Sequence, residues 1–450
     1  MATALIILAA GKGTRMNSDL PKVLHPLAGA PLVVHAMKAG ASLGPERTVV
    51  VAGHGAAAVE KAALDWDPDV QVVVQKEQLG TAHAVAQARP ALEGFEGTAI
   101  VLYGDTPFIS AETLEALQAE RAKSDVVVLG FEAADPGRYG RLVTKGDLLE
   151  KIVEFKDATE PERAITLCNS GVIAADAPTL FDLIDAVGNE NAAEEYYLTD
   201  VIGIARDRGL SASVVRCDEA ETLGINSRAE LAAAEAAFQD RARATALEDG
   251  VGMAAAETVY FAHDTVVGRD AIVEQHVVFA PGVTVESGAT VRAFSHLEGC
   301  HVARGAVVGP YARLRPGAEL QENTKVGNFV EVKNAVLAEG AKVNHLSYIG
   351  DAEIGARSNV GAGTVTCNYD GVFKHKTTVG QDAFIGSNTM LVAPVNVGDE
   401  AMTASGSVIT SDVPAGDLAV ARARQDNKPR LARRMFEKLK SKKQKQAKGA

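Results

Sequence analysis

The sequence predicts an α/β sheet domain followed by a parallel β-helix of hexapeptide repeats, on three observations. Up to about residue 225, short β-branched apolar runs alternate with longer helical stretches. Beyond about residue 250, apolar residues recur every six positions. The length of 450 residues exceeds one typical core, since a domain takes roughly 100 to 200 residues.

The apolar runs are Ala4-Leu-Ile-Ile-Leu-Ala, Thr48-Val-Val-Val, Val70-Gln-Val-Val-Val, Thr98-Ala-Ile-Val-Leu and Asp125-Val-Val-Val-Leu. Continuous rather than alternating apolarity marks strands buried on both faces, and so a mostly parallel sheet with helices on either side. In such sheets ligands sit beyond the carboxyl ends of the strands. Two strands end in chemically loaded segments, Gly11-Lys-Gly-Thr-Arg15 after the first and Tyr103-Gly-Asp105 after the fourth. Both are expected to face one crevice. Ser227-Arg-Ala-Glu230 then forms a capping box ahead of an alanine-rich stretch of high helix propensity, which reads as a helical arm.

After the arm, Phe261, Val267, Val273, Phe279, Val285, Val291 and Leu297 are each six apart, as are Val379, Ile385, Leu391 and Val397. Nine aliphatic-glycine pairs punctuate the same region. No amphipathic helix has this period, and a meander needs longer spacings, so each six-residue unit supplies one inward aliphatic of a β-helix. The register breaks at Cys367-Asn-Tyr-Asp-Gly-Val-Phe-Lys-His-Lys-Thr377, an excursion that reads as a loop projecting from the solenoid. The expected organisation is residues 1–226, a sheet domain; 227–247, the arm; 248–427, the repeats; and 428–450, a basic tail. The tail's Leu431, Met435, Phe436 and Leu439 fall on one helical face, so its first part is expected to form a short docked helix.

The net charge of −13 hides an asymmetry. Residues 428–450 carry ten Lys and Arg against one Glu, a local +9, so the remaining 427 residues sum to −22. So acidic a body argues against a broad nucleic-acid face, and phosphate ligands must be held by a few placed cations. Four dispersed cysteines suggest neither a disulfide framework nor a zinc site, and fit a reducing compartment. The opening apolar run lacks a basic leader and no stretch approaches a membrane span, so a cytoplasmic chain without membrane insertion is expected.

Gly11-Lys-Gly-Thr-Arg15 lacks both the third glycine of a dinucleotide fingerprint and the ending of a P-loop. Its chemistry is nonetheless suited to a triphosphate: Lys12, Arg15 and Lys22 bring cations beside glycines that let backbone N–H groups approach an oxyanion. Asp105 offers the hard oxygen that magnesium prefers, and for that residue alone a cap on a helix before Thr106-Pro107 is a serious competing reading. In the repeats, Leu314-Arg315, Glu331-Val-Lys333, Asn344-His345-Leu-Ser-Tyr348 and the 367–377 loop depart from the aliphatic-glycine plan at successive turns, which stacking would align.

Together Leu8-Ala-Ala-Gly-Lys-Gly-Thr-Arg-Met, Pro21-Lys-Val-Leu, Gln78-Leu-Gly-Thr and Tyr103-Gly-Asp resemble the Rossmann-like sugar-1-phosphate nucleotidyltransferases. With the hexapeptide region behind them, the resemblance narrows to the bifunctional uridyltransferase/acetyltransferases that make UDP-N-acetylglucosamine. It implies that Leu8, Ala9, Ala10, Gly11, Gln75, Gly80 and Thr81 hold the uridine nucleotide, that Arg15 and Lys22 meet phosphates, and that Tyr103 and Gly104 line the site. Gly140, Glu154 and Asn169 would meet the sugar, and Asp105 and Asn226 a Mg²⁺ ion. In the acetyltransferase half it implies His345 as the general base on the glucosamine amine, a task suited to an imidazole of ordinary pKa near 6.5. Arg315, Lys333, Tyr348 and Asn359 would hold the sugar phosphate. Ala362, Asn368, Tyr369, Ser387, Ser405 and Arg422 would lie along acetyl-CoA, Ser405 through its backbone. The resemblance also implies left-handed coiling and a homotrimer with sites between subunits. UTP, acetyl-CoA and sugar phosphates are thus the expected ligands, and peptidoglycan and lipopolysaccharide precursors the expected destination.

Two rival readings stand beside this one: a nucleotidyltransferase whose β-helix only assembles subunits, and a regulatory subunit without catalysis. The set His345, Arg315 and Lys333 argues against the first, and the set Lys12, Arg15, Lys22 and Asp105 against the second.

Overall fold

The computed structural model describes residues 2–146 and 148–448. Two compact units are distinguished. The first comprises Met1–Glu248 with Tyr260–Thr265 and Phe279–Gly282, and the second the rest of the repeat region and tail.

The first unit is built on strands β1 (Thr3–Ala9), β2 (Arg47–Ala52), β3 (Gln71–Val74), β4 (Thr98–Tyr103), β5 (Val126–Glu132), β6 (Arg141–Lys145), β7 (Leu148–Val153), β8 (Leu167–Asp176) and β9 (Ala212–Cys217). The sheet runs β9-β5-β8-β4-β1-β2-β3, with β6 and β7 as a hairpin attached to β8. Strands β1 to β4 are mutually parallel, as the continuous apolar runs predict, whereas β8 lies antiparallel to both β4 and β5. Alternate residues of β1 feed two cores. Leu5, Ile7 and Ala9 pack with Val33, Met37, Val59 and Leu114 on one face, while Ala4, Ile6 and Leu8 pack with Val85, Leu180 and Val201 on the other. All six are buried, so truncating either isoleucine to alanine would cost about 2 to 5 kcal/mol. Covering helices on both faces leave only the strand ends open, and the carboxyl ends of β1 and β4 are adjacent there.

The arm is the helix α1 (Arg228–Glu248). Its buried Gln239 amide accepts from Phe261 N–H and donates to Phe261 C=O, at 2.8 and 2.7 Å, pairing with the segment as a strand neighbour would.

In the second unit the six-residue period becomes three faces. Val267 is in register with Val285 and Val302, Val273 with Val291 and Val308, and Leu297 with Leu314 and Val332. Partners are thus 17 or 18 residues apart, about three hexapeptides per turn, and these pairings are parallel. Between Val360 and its partner Ile385 the interval lengthens to 25, and the surplus is the projecting loop, closed by an antiparallel bridge between Tyr369 and Lys374. The tail helix, Leu431–Lys448, is longer than expected, and its Leu431, Met435, Phe436 and Leu439 are exposed rather than docked. Residues 449 and 450 of the tail lie outside the described residues.

Candidate active sites

At the carboxyl ends of β1 and β4 a cleft is lined by Leu8, Ala9, Ala10, Gly11, Lys22, Gln75, Gly80, Thr81, Tyr103 and Asp105, ten of the positions singled out in the sequence. The loop after β1 passes through Gly13 at φ 62°, where a Cβ would fall 2.5 Å from that of Lys22; glycine there lets the lysine enter the cleft. Gly104 N–H donates to Leu8 C=O at 2.9 Å and so ties the two loaded loops together. Lys12 and Arg15 are exposed on the same loop and do not line the cleft.

The Lys22 ammonium donates to Asp105 and, at 3.0 Å, to Asn226 Oδ1. A carboxylate and an amide oxygen from distant parts of the chain therefore converge on one cation. Tyr103 is half-buried in the cleft wall; desolvation, reinforced by the negative charges of Asp105 and Glu154, pushes its phenol upward, and Thr81 hydrogen-bonds it. Gln75 Nε2 donates to Gly80 C=O at 3.1 Å.

Gly140, Glu154 and Asn169 meet beside this cleft. A Cβ on Gly140 would lie 3.5 Å from Glu154 Oε1 and 3.6 Å from Asn169 Cβ, and Asn169 N–H donates to Gly140 C=O at 2.9 Å. Burial raises the Glu154 carboxyl above the usual range, although Thr199 Oγ1 donates to it at 3.2 Å. Strand β8 bulges between Asn169 and Ile173, and Gly171 sits in the bulge at φ 93°, where a Cβ would fall 2.7 Å from the Tyr103 ring. Glu195 lines both this second cleft and the first, and the next residue anchors it: Tyr196 N–H donates to Leu79 C=O and its C=O accepts from Ala82 N–H, at 2.8 and 2.9 Å. The sequence reading missed Glu195, Tyr197 and Thr199, although the run Glu-Tyr-Tyr-Leu-Thr is dense in polar aromatics.

On the β-helix, His345 is exposed, with Nδ1 3.0 Å from Oδ1 of Asn328, its register partner one turn earlier. The following corner residues donate in turn to the carbonyls of His345, Ala362 and Ser387, from Gly363, Asn388 and Gly406 at 3.2, 2.7 and 2.7 Å. His345, Ala362, Ser387 and Ser405 consequently form one row along the helix axis. Arg422 lies at its far end, against Gly406. Just past the corner from His345, Glu331 and Tyr348 are register partners, as are Lys333 and Gly350, and Arg315 pairs with Glu331 at 2.8 Å. Asn359 sits farther along its own face, in register with Lys342 and Phe384. Asn368 is buried at the foot of the loop, donating to Asp351 and, at 3.5 Å, to Tyr348 Oη, whereas Tyr369 is exposed. Two residues absent from the sequence reading join the group: Asn328, and Lys374, whose ammonium the adjacent Lys333 holds below the usual lysine range.

Residues 5–170 match the MobA-like NTP transferase domain family. A protein of Roseobacter denitrificans called "Bifunctional protein GlmU" is 68% identical over 450 residues, covering all of both chains. Proteins of the same name are 69% identical in Ruegeria pomeroyi, over 98% of each chain, and 68% in Dinoroseobacter shibae, over the full length of both. The chain belongs to the GlmU family. It is accordingly a bifunctional transferase of UDP-N-acetylglucosamine synthesis, a uridyltransferase and an acetyltransferase, and its repeats form the left-handed parallel β-helix of the GlmU family. Among the described residues no helix is long and apolar enough to cross a membrane.

Proposed function

We propose that the cleft of the first unit takes UTP and N-acetylglucosamine 1-phosphate, and that the His345 row of the second takes acetyl-CoA and glucosamine 1-phosphate. The convergence of Asp105 and Asn226 on one cation carries the first assignment. Two hard oxygens with room for phosphate ligands suit Mg²⁺, which fills its octahedron from few protein groups and substrate oxygens. When bound, the ion neutralises triphosphate charge.

The sugar phosphate attacks the α-phosphorus of UTP in line and pyrophosphate leaves. The nucleophile is already anionic, so no base is required, and the residues supply orientation and neutralisation. Lys22 supplies a half-buried positive charge, Arg15 an exposed one, and the 8–11 turn its backbone amides. Gly140, Glu154 and Asn169 form the sugar end. A carboxyl raised by burial is a group prepared to exchange water for a substrate hydroxyl or amide.

In the second site the glucosamine amine attacks the thioester carbonyl, its proton passes to His345 Nε2, and the CoA thiolate leaves. Asn328 holds Nδ1, so Nε2 carries the lone pair. Arg315, Lys333 and Lys374 form the cationic seat for the sugar phosphate. The acyl donor lies along Ala362, Ser387 and Ser405 towards Arg422. The assembly is a homotrimer in the cytoplasm, with acyl sites between copies.

The deciding experiment follows pyrophosphate and free CoA in one preparation, using His345→Ala and Asp105→Ala. Each variant should lose one activity and keep the other; a variant that loses neither removes the corresponding assignment.

A further inference from the structure

The cleft of the first unit contains a buried amide whose hydrogen-bonding capacity is only partly used. Gln75 continues β3 by one residue, its N–H donating to Ala52 C=O at 2.8 Å, and its side chain is 3% exposed in the cleft wall. The amide nitrogen lies 3.1 Å from Gly80 C=O and 3.0 Å from His83 Nδ1. A carbonyl oxygen only accepts, so the atom that faces Gly80 is the nitrogen, and Oε1 is turned away from it. Among the described residues nothing donates to Oε1. A buried acceptor without a donor is costly, so this one is held for a donor that arrives with the ligand.

The second proton of the Gln75 nitrogen points at His83, and only a lone pair on Nδ1 can receive it. His83 belongs to the short helix Thr81–Ala86 and does not itself line the cleft. The helix is a firm support: Ala82, Ala84 and Val85 are buried, and Ala82 N–H donates to Tyr196 C=O at 2.9 Å. On the other edge of the imidazole, Gln87 Nε2 lies 3.3 Å from His83 Nε2 and 3.0 Å from His83 C=O. A neutral imidazole has one lone pair and one N–H, so it cannot accept from both glutamines. Gln87 is half-buried and can turn its oxygen to the ring, whereas Gly80 pins Gln75. The lone pair therefore stays on Nδ1 and the proton on Nε2.

We propose that His83 is a positioning residue for base choice: it holds the Gln75 amide with Oε1 in the cleft, where an acceptor selects uracil over cytosine. Uracil presents N3–H to such an oxygen. Cytosine in the same seat presents the lone pair of N3, and it must shift to offer its amino group instead. A site built around one buried hydrogen bond discriminates strongly against a base that leaves that bond unmade. The proposal rests on the reading of this cleft as the UTP site and adds the group that sets its preference.

The test measures pyrophosphate release by the full-length chain with N-acetylglucosamine 1-phosphate and UTP, with CTP followed both as substrate and as competitor of UTP. His83→Leu fills the space without a lone pair. His83→Gln places its amide nearer the Nε2 position, and His83→Asn keeps an oxygen close to that of Nδ1. The leucine and glutamine variants are expected to raise the KM for UTP and narrow the preference for UTP over CTP by about 10-fold or more, the effect of releasing one buried hydrogen bond. Their kcat at saturating UTP should stay within about threefold, because a base contact is made equally in the ground and transition states. His83→Asn should recover most of the preference. A wild-type preference in both the leucine and the glutamine variant would overturn the proposal, as would an equal loss with UTP and CTP in all three, which marks a purely structural histidine. Asp105→Ala keeps the two readings apart: undiminished UTP turnover in that variant removes the cleft as the nucleotide site, whereas an inactive Asp105→Ala beside an unchanged preference in the His83 variants removes only the role of His83.

Discussion

Oδ1 of Asn328 lies 3.0 Å from Nδ1 of His345 across one turn of the β-helix. An amide oxygen can only accept, so the imidazole proton is fixed on Nδ1 and Nε2 is the basic nitrogen. His345→Ala is expected to slow acetyl transfer by roughly 10² to 10⁴-fold, the worth of a positioned base. Asn328→Asp should leave the fold intact and move the acidic limb of the acetyl-transfer pH profile upward, because a carboxylate favours the imidazolium. An unmoved profile would show that Asn328 does not orient the ring.

Asp105→Ala removes the carboxylate that faces Lys22 beside Asn226. Uridylyl transfer should drop by roughly 10²-fold or more, since charge neutralisation of a transferring phosphoryl group amounts to several kcal/mol. Acetyl transfer should persist. Normal pyrophosphate release from the variant would refute the metal assignment, and loss of both activities would indicate misfolding.

Gly171→Ala places a methyl against the Tyr103 ring and forces a side chain into φ 93°. The strain is expected to cost about 1 to 3 kcal/mol, lowering the thermal midpoint by about 2 to 4 °C for each of them. The kcat/KM of uridylyl transfer should fall as Tyr103 is displaced, while CoA release is retained. An unchanged midpoint would mean that the bulge relaxes freely.

Glu154 gives a prediction in pH. Burial raises its folded-state pKa above the ordinary 4.5, so its contribution to stability is complete below about that value and is lost as pH rises through the folded pKa. Glu154→Gln removes the buried charge. Its melting temperature should therefore gain on the wild type from acid to neutral pH, as uridylyl transfer declines. A constant difference between the two curves would contradict the assigned burial.

The sequence shows residues whose role is set by local pattern. The period of six is legible because most inward aliphatics of the solenoid follow the last by one hexapeptide, and β1 is legible because both its faces are buried. Antiparallel β8 is harder to see, since Gly171 and its bulge interrupt the run Leu167–Asp176. Asn328 and Lys374 escape notice for a different reason. Asn328 meets His345 seventeen positions away, and Lys374 meets Lys333 across the loop, at intervals set by stacking rather than by any motif. Glu195 and Thr199 likewise reach the cleft and Glu154 only by folding back over the chain.

The row from His345 through Ala362 and Ser387 to Ser405 climbs one strand spacing, about 4.8 Å, at every turn. Its reach is therefore fixed by how many coils intervene, and is insensitive to the sequence of the outer faces. Excising one complete coil between His345 and Ser405 would leave each remaining coil with neighbours of its own kind. It would also shorten the distance from base to far contact by a single increment. Insertions such as the 367–377 loop lengthen the polypeptide without altering that measure, because they leave and rejoin at the same level. The solenoid is thus a ruler graduated in coils, and under the proposed acyl assignment the length of the donor would be gauged in whole steps.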